Sequence, residues 1–310
     1  MLIYSCDMQT TNISTIPLRT ISLEQGLTLF LEELSGRNVS PATLVTYEAS
    51  LRQWLAWLTE TDGTVESPTD LTRAHISEYL AHLASRSCSG MYRARVLAAI
   101  RAYAMALVNA DVLVHSPATG IVTPKKEQNR RAYLRRDEYT QLLAAAGSNP
   151  RDFCLLTLAL QTGLRVSELC ALSIDDVDLA ERRLTVRNGK GGSFARLPLE
   201  RKSRQALKRY LELRHKLPAS SDALFLNRYG EPLGERGVRK LVARYAAGLD
   251  LGKTVSPHTL RHTYANAKAK AKVTVYELKE LMRHRYIGTT QQYINEANFD
   301  LQTVQEATSL

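Results

Sequence analysis

"SPATLVTYEASLRQWLAWL", residues 40–58, decides the fold of the first third of this 310-residue chain. Ser40 suits a helix N-cap, and Pro41 suits the first turn, where no amide hydrogen is needed. Leu44, Tyr47, Leu51, Trp54, Leu55 and Leu58 then recur at helical spacing and make one apolar stripe. Such a stripe must be buried against a partner. The neighbouring segments supply partners. "SLEQ" at 22–25 is a capping box, followed by Leu23, Leu27, Phe30, Leu31 and Leu34, and Gly36 stops the run. A third helix follows Thr72, with Ile76, Tyr79, Leu80 and Leu83 inward. A fourth runs through Tyr92, Val96, Ile100, Tyr103 and Leu107. Four amphipathic helices with short connections predict a small bundle over residues 21–114.

Residues 115–133, "HSPATGIVTPKKEQNRRAY", break the pattern. Pro117, Gly120 and Pro124 disfavour regular structure, and Lys125, Lys126, Arg130 and Arg131 make the segment basic. It reads as a linker, either a solvated loop or a contact for a polyanion. Beyond it the pattern is mixed. "RRDEYTQLLAAA" and "PRDFCLLTLALQTG" read as helices. "RRLTVRNGKGGSFARLPL" reads as a β-hairpin, with Leu184 and Val186 alternating and Asn188-Gly189 as a turn signal. A helix over 199–215, a short strand at "ALFLN", and helices at 236–248, 257–270, 275–283 and 289–296 complete the chain. The fold class expected is mainly α with a small β-sheet or hairpin (α+β), a helical domain followed by a second domain at 134–298.

The chain carries 41 Lys+Arg against 31 Asp+Glu, a net charge of +10 at pH 7. A surplus of this size suggests a polyanionic partner, nucleic acid first. Cys6, Cys88, Cys154 and Cys170 are scattered without a CxxC pair, which argues against a disulfide framework or a cysteine zinc cluster and fits a reducing cytosol. Residues 1–20 lack a charged start and an apolar block, so they read as a polar leader rather than a signal peptide. Apolar runs such as "CLLTLAL" are too short to span a bilayer. The expected setting is cytoplasmic, with no membrane partner.

Several residues suggest chemistry. "SPHTLRHTYA" opens a helix capped by Ser256, and His258 and Arg261 share a face near its N-terminus, where an anion is already favoured. His258 and His262 have the spacing of a zinc pair, but no HExxH glutamate or nearby cysteine supports a metal. In "TGLRVSEL", Gly163 breaks a buried helix and Arg165 and Glu168 follow three apart. A surface ion pair and a cleft arginine read equally well there. Lys190 in "NGKGG" is by itself a solvated loop lysine, although mobile enough to reach a site. In "MRHRYIGTTQQYI", 282–294, Thr289 and Gln292 suggest a capping box, and spacing alone does not choose between Tyr286 and Tyr293 as a nucleophile.

Taken together, "TGLRVSEL", "GKG" on a hairpin, "HTLRHTYA" and "LMRHRYIGTTQQY" resemble the tyrosine recombinase (phage integrase) family in order and approximate separation. The match covers roughly 134–296, and the helical block resembles that family's core-binding domain. The resemblance implies that Arg165 and Arg261 clamp the scissile phosphate, that Lys190 is the hairpin lysine, and that His258 and His284 complete a pentad. It implies that Glu168 supports the site and that Tyr293 is the nucleophile, with Tyr286 as packing or a DNA contact. His262 matches a common residue without assigned chemistry and is read as structural. The proton on the attacking tyrosine then falls to His258, and His284 binds a phosphate oxygen. The family usually has glycine where Arg283 stands. Arg283 and Arg285 are therefore read as added DNA contacts, together with Lys125, Lys126, Arg130 and Arg131.

The activity implied is site-specific cleavage and rejoining of DNA through a 3′-phosphotyrosine link. That link conserves the phosphodiester's energy, so no cofactor and no metal is required. The partners implied are double-stranded DNA, a homotetramer at synapsis formed by clamps of two domains, and accessory DNA-bending or directionality proteins on the nucleoid. The tail 299–310 is read as a frayed end or an anchor on a neighbouring protomer. Two other functions fit the scaffold: a DNA-binding regulator that does not cleave, and a type IB topoisomerase. A pure binder has no use for Tyr293, and the helical N-terminal block favours a recombinase.

Overall fold

Described here from a computed structural model, the structure covers residues 20–37, 39–125, 132–187, 195–217, 221–284 and 286–297. The chain divides into two compact units, residues 1–129 and 130–310.

The first unit is built from α1 (Leu23–Gly36), α2 (Pro41–Thr61), α3 (Arg73–Ser85) and α4 (Gly90–Asn109). Its caps are those expected. Ser22 and Gln25 bond reciprocally at 2.9 and 3.2 Å, and the Ser40 and Thr72 hydroxyls accept the amides of Thr43 and His75. Each bond satisfies an amide that the first helical turn leaves without a partner. Leu27, Leu51, Trp54, Leu58, Ile76, Leu97, Ile100 and Tyr103 are buried at its centre. Tyr103 meets Phe30 and Trp54 edge-on, at 5.9 and 6.3 Å between ring centroids. Residues 115–125, expected to begin a linker, instead pack on this bundle. Ala118 and Ile121 are buried in its core, and Arg101 donates to the Ile121 carbonyl and to Thr123. Two buried apolar side chains and a half-buried arginine thus outweigh the disruptive effect of Pro117 and Gly120.

The second unit contains α5 (Arg136–Ala145), α6 (Pro150–Thr162), α7 (Val166–Cys170), β1 (Val177–Asp178), β2 (Arg183–Val186), β3 (Ala195–Pro198), α8 (Arg201–Arg214), α9 (Glu235–Ala247), α10 (Pro257–Lys270), α11 (Val275–Met282) and α12 (Gly288–Ala297). α6 is the central post. Cys154, Leu155, Leu156, Leu158, Ala159 and Leu160 are all buried on it, and α8 and α10 pack against it. The strands form an antiparallel sheet in the order β1-β2-β3, with Leu184 opposite Leu197 and Val186 opposite Ala195. β1 was not anticipated, because two residues are too few to show a period. "ALFLN" forms only isolated bridges, Ser173–Ala223 and Leu226–Pro232, while Leu224, Phe225 and Leu226 are buried as a core plug. α12 begins at Gly288, so Thr289 falls inside its first turn rather than before it. Among the described residues no helix is long and apolar enough to cross a membrane.

Both tryptophans, Trp54 and Trp57, lie in α2, so tryptophan fluorescence reports on the first unit alone. Leu51→Ala is expected to cost about 2–5 kcal/mol by opening a cavity in that bundle, and to lower the fluorescence-monitored urea midpoint. An unshifted midpoint would contradict the packing described.

Candidate active site

The site assembles where helix ends meet. α6 ends at Gly163, which holds a left-handed backbone at φ +60°. A Cβ at that position would stand 2.4 Å from the Tyr264 ring, so glycine is needed both for the turn and for the close approach of α10. The turn places Arg165 immediately before α7. One turn on, the Glu168 carboxylate accepts the Arg165 amide at 2.7 Å and Arg165 Nη1 at 2.6 Å. That carboxylate is 1% exposed. It also accepts Arg283 Nη2 at 2.8 Å, and Arg261 Nη1 lies 4.0 Å away.

Arg261 sits one turn into α10 and donates to the carbonyls of Gly163 and Met282. These carbonyls close α6 and α11, where helix dipoles present partial negative charge. Burial, followed by the nearby Arg165 and Arg283 cations, lowers the Arg261 pKa to about 10. The group therefore stays charged at neutral pH, in surroundings that an arriving anion would improve. Burial pushes the Glu168 carboxyl up, but the hydrogen bond and charge of Arg283, and then those of Arg165, outweigh it and hold the group below its ordinary value.

Arg283 ends α11 in the left-handed region, φ 53° and ψ 45°. A non-glycine residue there costs about 1–2 kcal/mol. Its side chain, read from the sequence as a DNA contact, is 6% exposed and turned inward to Glu168. The difference has a physical cause: the left-handed turn folds the guanidinium back toward a buried carboxylate that would otherwise keep fewer partners. The Arg283 carbonyl in turn accepts Arg165 Nη2 at 2.8 Å.

Tyr293 is buried on α12, packed with Tyr264, Ala265, Ala269, Leu278 and Met282 from α10 and α11. Its hydroxyl lies 2.5 Å from His262 Nδ1. The His284 ring stacks on Tyr293 at 6.4 Å between centroids, and His284 Nδ1 is 2.8 Å from the buried Thr290 hydroxyl. The His258 ring, with one side open to solvent and the other against α10 and its arginine neighbours, is 6.3 Å from the His262 ring. Loss of hydration, then the charges of Arg261, Arg239 and Arg165, lowers the His258 pKa, and Glu235 opposes them.

Arg165, Glu168, Arg261, His284 and Tyr293 are thus brought together, with His258 adjoining through His262. Tyr286 is 66% exposed, in contrast to Tyr293. Lys125 is exposed at the end of the first unit's described residues. Lys190, Lys126, Arg130, Arg131 and Arg285 lie outside the described residues, as do most of the leader and the whole C-terminal tail. His262 was passed over in the sequence. A signal was present, since it follows Arg261 and lies four residues from His258. What local spacing could not show is that α12 docks its tyrosine on that nitrogen.

Residues 132–299 match the phage integrase family, and residues 27–111 match the N-terminal SAM-like domain of phage integrases, so the chain belongs to that family. It is 34% identical over 276 residues to tyrosine recombinase XerC of Pseudomonas fluorescens, spanning 87% of this chain and 91% of that protein. XerA recombinase has a similar fold, with a TM-score of 0.55 and 26% identity over 92% of this chain and 99% of that one. A lambda integrase tetramer bound to a Holliday junction shares the fold at a TM-score of 0.74 and 20% identity, covering 89% of this chain and 78% of that one.

Because the folded Glu168 carboxyl titrates below its ordinary value of 4.5, its contribution to stability is complete above pH 4.5 and is lost as pH falls through the lower folded value. Glu168→Gln is expected to cost about 3 kcal/mol at neutral pH, since it leaves buried guanidinium charge uncompensated. The gap from wild type should narrow below pH 4.5 in urea titrations.

Proposed function

We propose that Tyr293 is the nucleophile with which this protein, a site-specific recombinase of the tyrosine type, cuts and rejoins DNA. The observation that carries the reading is the Tyr293 hydroxyl held 2.5 Å from His262 Nδ1, beside a cluster of three arginines and one glutamate. A phenol is a poor nucleophile near neutral pH because its pKa is about 10. It needs a proton acceptor and an electrophilic phosphorus. His262, in the tautomer with Nδ1 unprotonated, accepts the proton. Arg165 and Arg261 bind the non-bridging oxygens, with His258 and His284 as further donors.

The electrostatics suit the reaction. Three guanidinium charges against one carboxylate leave an excess of two. A phosphodiester brings one negative charge, and the pentavalent state formed by a phenolate carries two. The cluster therefore favours the transition state over the ground state, the requirement for acceleration. Tyr293 Oη bonds to phosphorus as the bond to the 5′ oxygen breaks. The product is a 3′-phosphotyrosine and a free 5′ hydroxyl whose proton comes from Lys190. Reversal by another 5′ hydroxyl rejoins the strand without a cofactor.

Each chain has one such tyrosine and breaks one strand. Exchange between two duplexes needs four breaks, so the working form is a tetramer on two sites. Residues 21–114 serve as the core-binding domain and 134–298 as the catalytic domain, with Lys125 on the DNA backbone. The reaction takes place on cytoplasmic, nucleoid DNA, with DNA-bending or directionality proteins choosing among integration, excision and resolution.

The test is covalent trapping. Full-length protein is incubated with supercoiled plasmid carrying its own gene and flanking DNA, with EDTA present, and quenched in detergent. Wild type and Tyr286→Phe should form a protein–DNA adduct, and Tyr293→Phe none. His262→Ala should slow adduct formation about a hundredfold, the contribution of a positioned proton acceptor. DNA that is bound but never linked by wild type would sink the reading.

A further inference from the structure

We infer that Arg283 is a positioning residue of the cleavage site, clasping Arg165 and Glu168 to the segment that carries His284 and leads to Tyr293. The inference rests on the roles proposed above for Arg165 and Tyr293. Arg283 occupies a backbone conformation that glycine adopts without strain, so its side chain must be held by compensating contacts. Those contacts are in place. Nη2 reaches Glu168 Oε2 at 2.8 Å, Nε reaches Oε1 at 3.4 Å, and Nη1 donates to the Leu281 carbonyl at 2.9 Å. Nη2 is also 3.4 Å from the Gly163 carbonyl, which Arg261 shares.

The linkage is double. The Arg283 side chain holds Glu168, and Glu168 holds Arg165 by both amide and guanidinium. The Arg283 carbonyl holds the other terminal nitrogen of Arg165 at 2.8 Å. Arg165 is therefore fixed at both ends of its fork, and its remaining N–H groups are available to a phosphate. The charged groups facing Glu168 are Arg165 beside α7, Arg261 from α10 and Arg283 from α11, with Tyr293 of α12 within electrostatic range of Arg261. Arg283 supplies the largest of the influences that lower the Glu168 carboxyl. Its loss should let Glu168 take up a proton at higher pH and release Arg165.

The test compares full-length wild type, Arg283→Gly and Arg283→Lys. Adduct formation on the plasmid described above is followed from about pH 5 to about pH 9. Arg283→Gly relieves the backbone but takes a partner from the buried Glu168 carboxylate, so its melting temperature should fall while the protein stays folded at the assay temperature. Its adduct rate at neutral pH should fall about tenfold, as when an orienting partner of an active residue is removed, and the acid limb of its pH profile should move upward. Arg283→Lys, which keeps the charge but not the fork, should recover part of both. An Arg283→Gly protein with the wild-type rate and an unmoved acid limb overturns the inference. A second readout needs no cleavage. The 13C-carboxyl resonance of Glu168, assigned with Glu168→Gln, should titrate at higher pH in Arg283→Gly without DNA, and an unshifted midpoint also overturns the inference. If the adduct instead persists in Tyr293→Phe, the nucleophile assignment has failed, and the Glu168 titration still judges Arg283.

Discussion

The Glu168 carboxylate is the group on which the rest of the site depends. It is almost fully removed from water, a placement that costs several kcal/mol unless paired charges and hydrogen bonds offset it. Arg165 and Arg283 bond to it directly, and Arg261 stands at 4.0 Å. Without that one anion, three guanidinium groups would face one another with only backbone carbonyls between them. With it, the cations assemble before any substrate arrives, still carrying an excess of positive charge. On the proposed reading, a phosphate would complete an arrangement whose reorganisation is already done, which is what electrostatic catalysis requires.

The same packing positions Tyr293. α12 docks on α10 and α11 through a small apolar cluster in which Tyr293 is itself a core residue. The hydroxyl therefore reaches His262 as a consequence of burial. Arg261 and His262 are consecutive residues of α10, so one helix turns a guanidinium to the ends of α6 and α11 and an imidazole to Tyr293. Arg283 bonds the end of α11 to Glu168 of α7 and, through its carbonyl, to Arg165.

Much of this was legible in the sequence, because it depends on local rules. The helices of the first unit follow from caps and apolar stripes that operate over four residues, and the residues that meet at the helix ends lie in three of the four ordered motifs. Failures occurred where a tertiary contact overrides a local signal. Pro117 and Gly120 marked a linker, but Ala118 and Ile121 find a core. "ALFLN" has strand composition, but its apolar residues plug the second unit instead of extending a sheet. His262 looked structural until α12 brought a tyrosine to it. Arg283 read as a DNA contact, since nothing within a few residues reveals a buried carboxylate 115 positions earlier in the chain.

The central claim is that Tyr293, held on His262, becomes covalently linked to a 3′ phosphate. It is tested most directly by locating the nucleotide on the protein. Trypsin cuts after Arg285 and at no other position from 286 to 310, so one peptide carries both Tyr286 and Tyr293. Nuclease-trimmed adduct, digested and fragmented in a mass spectrometer, should carry its nucleotide on Tyr293 through a 3′ linkage. A nucleotide on Tyr286, or one attached through its 5′ phosphate, would contradict the account.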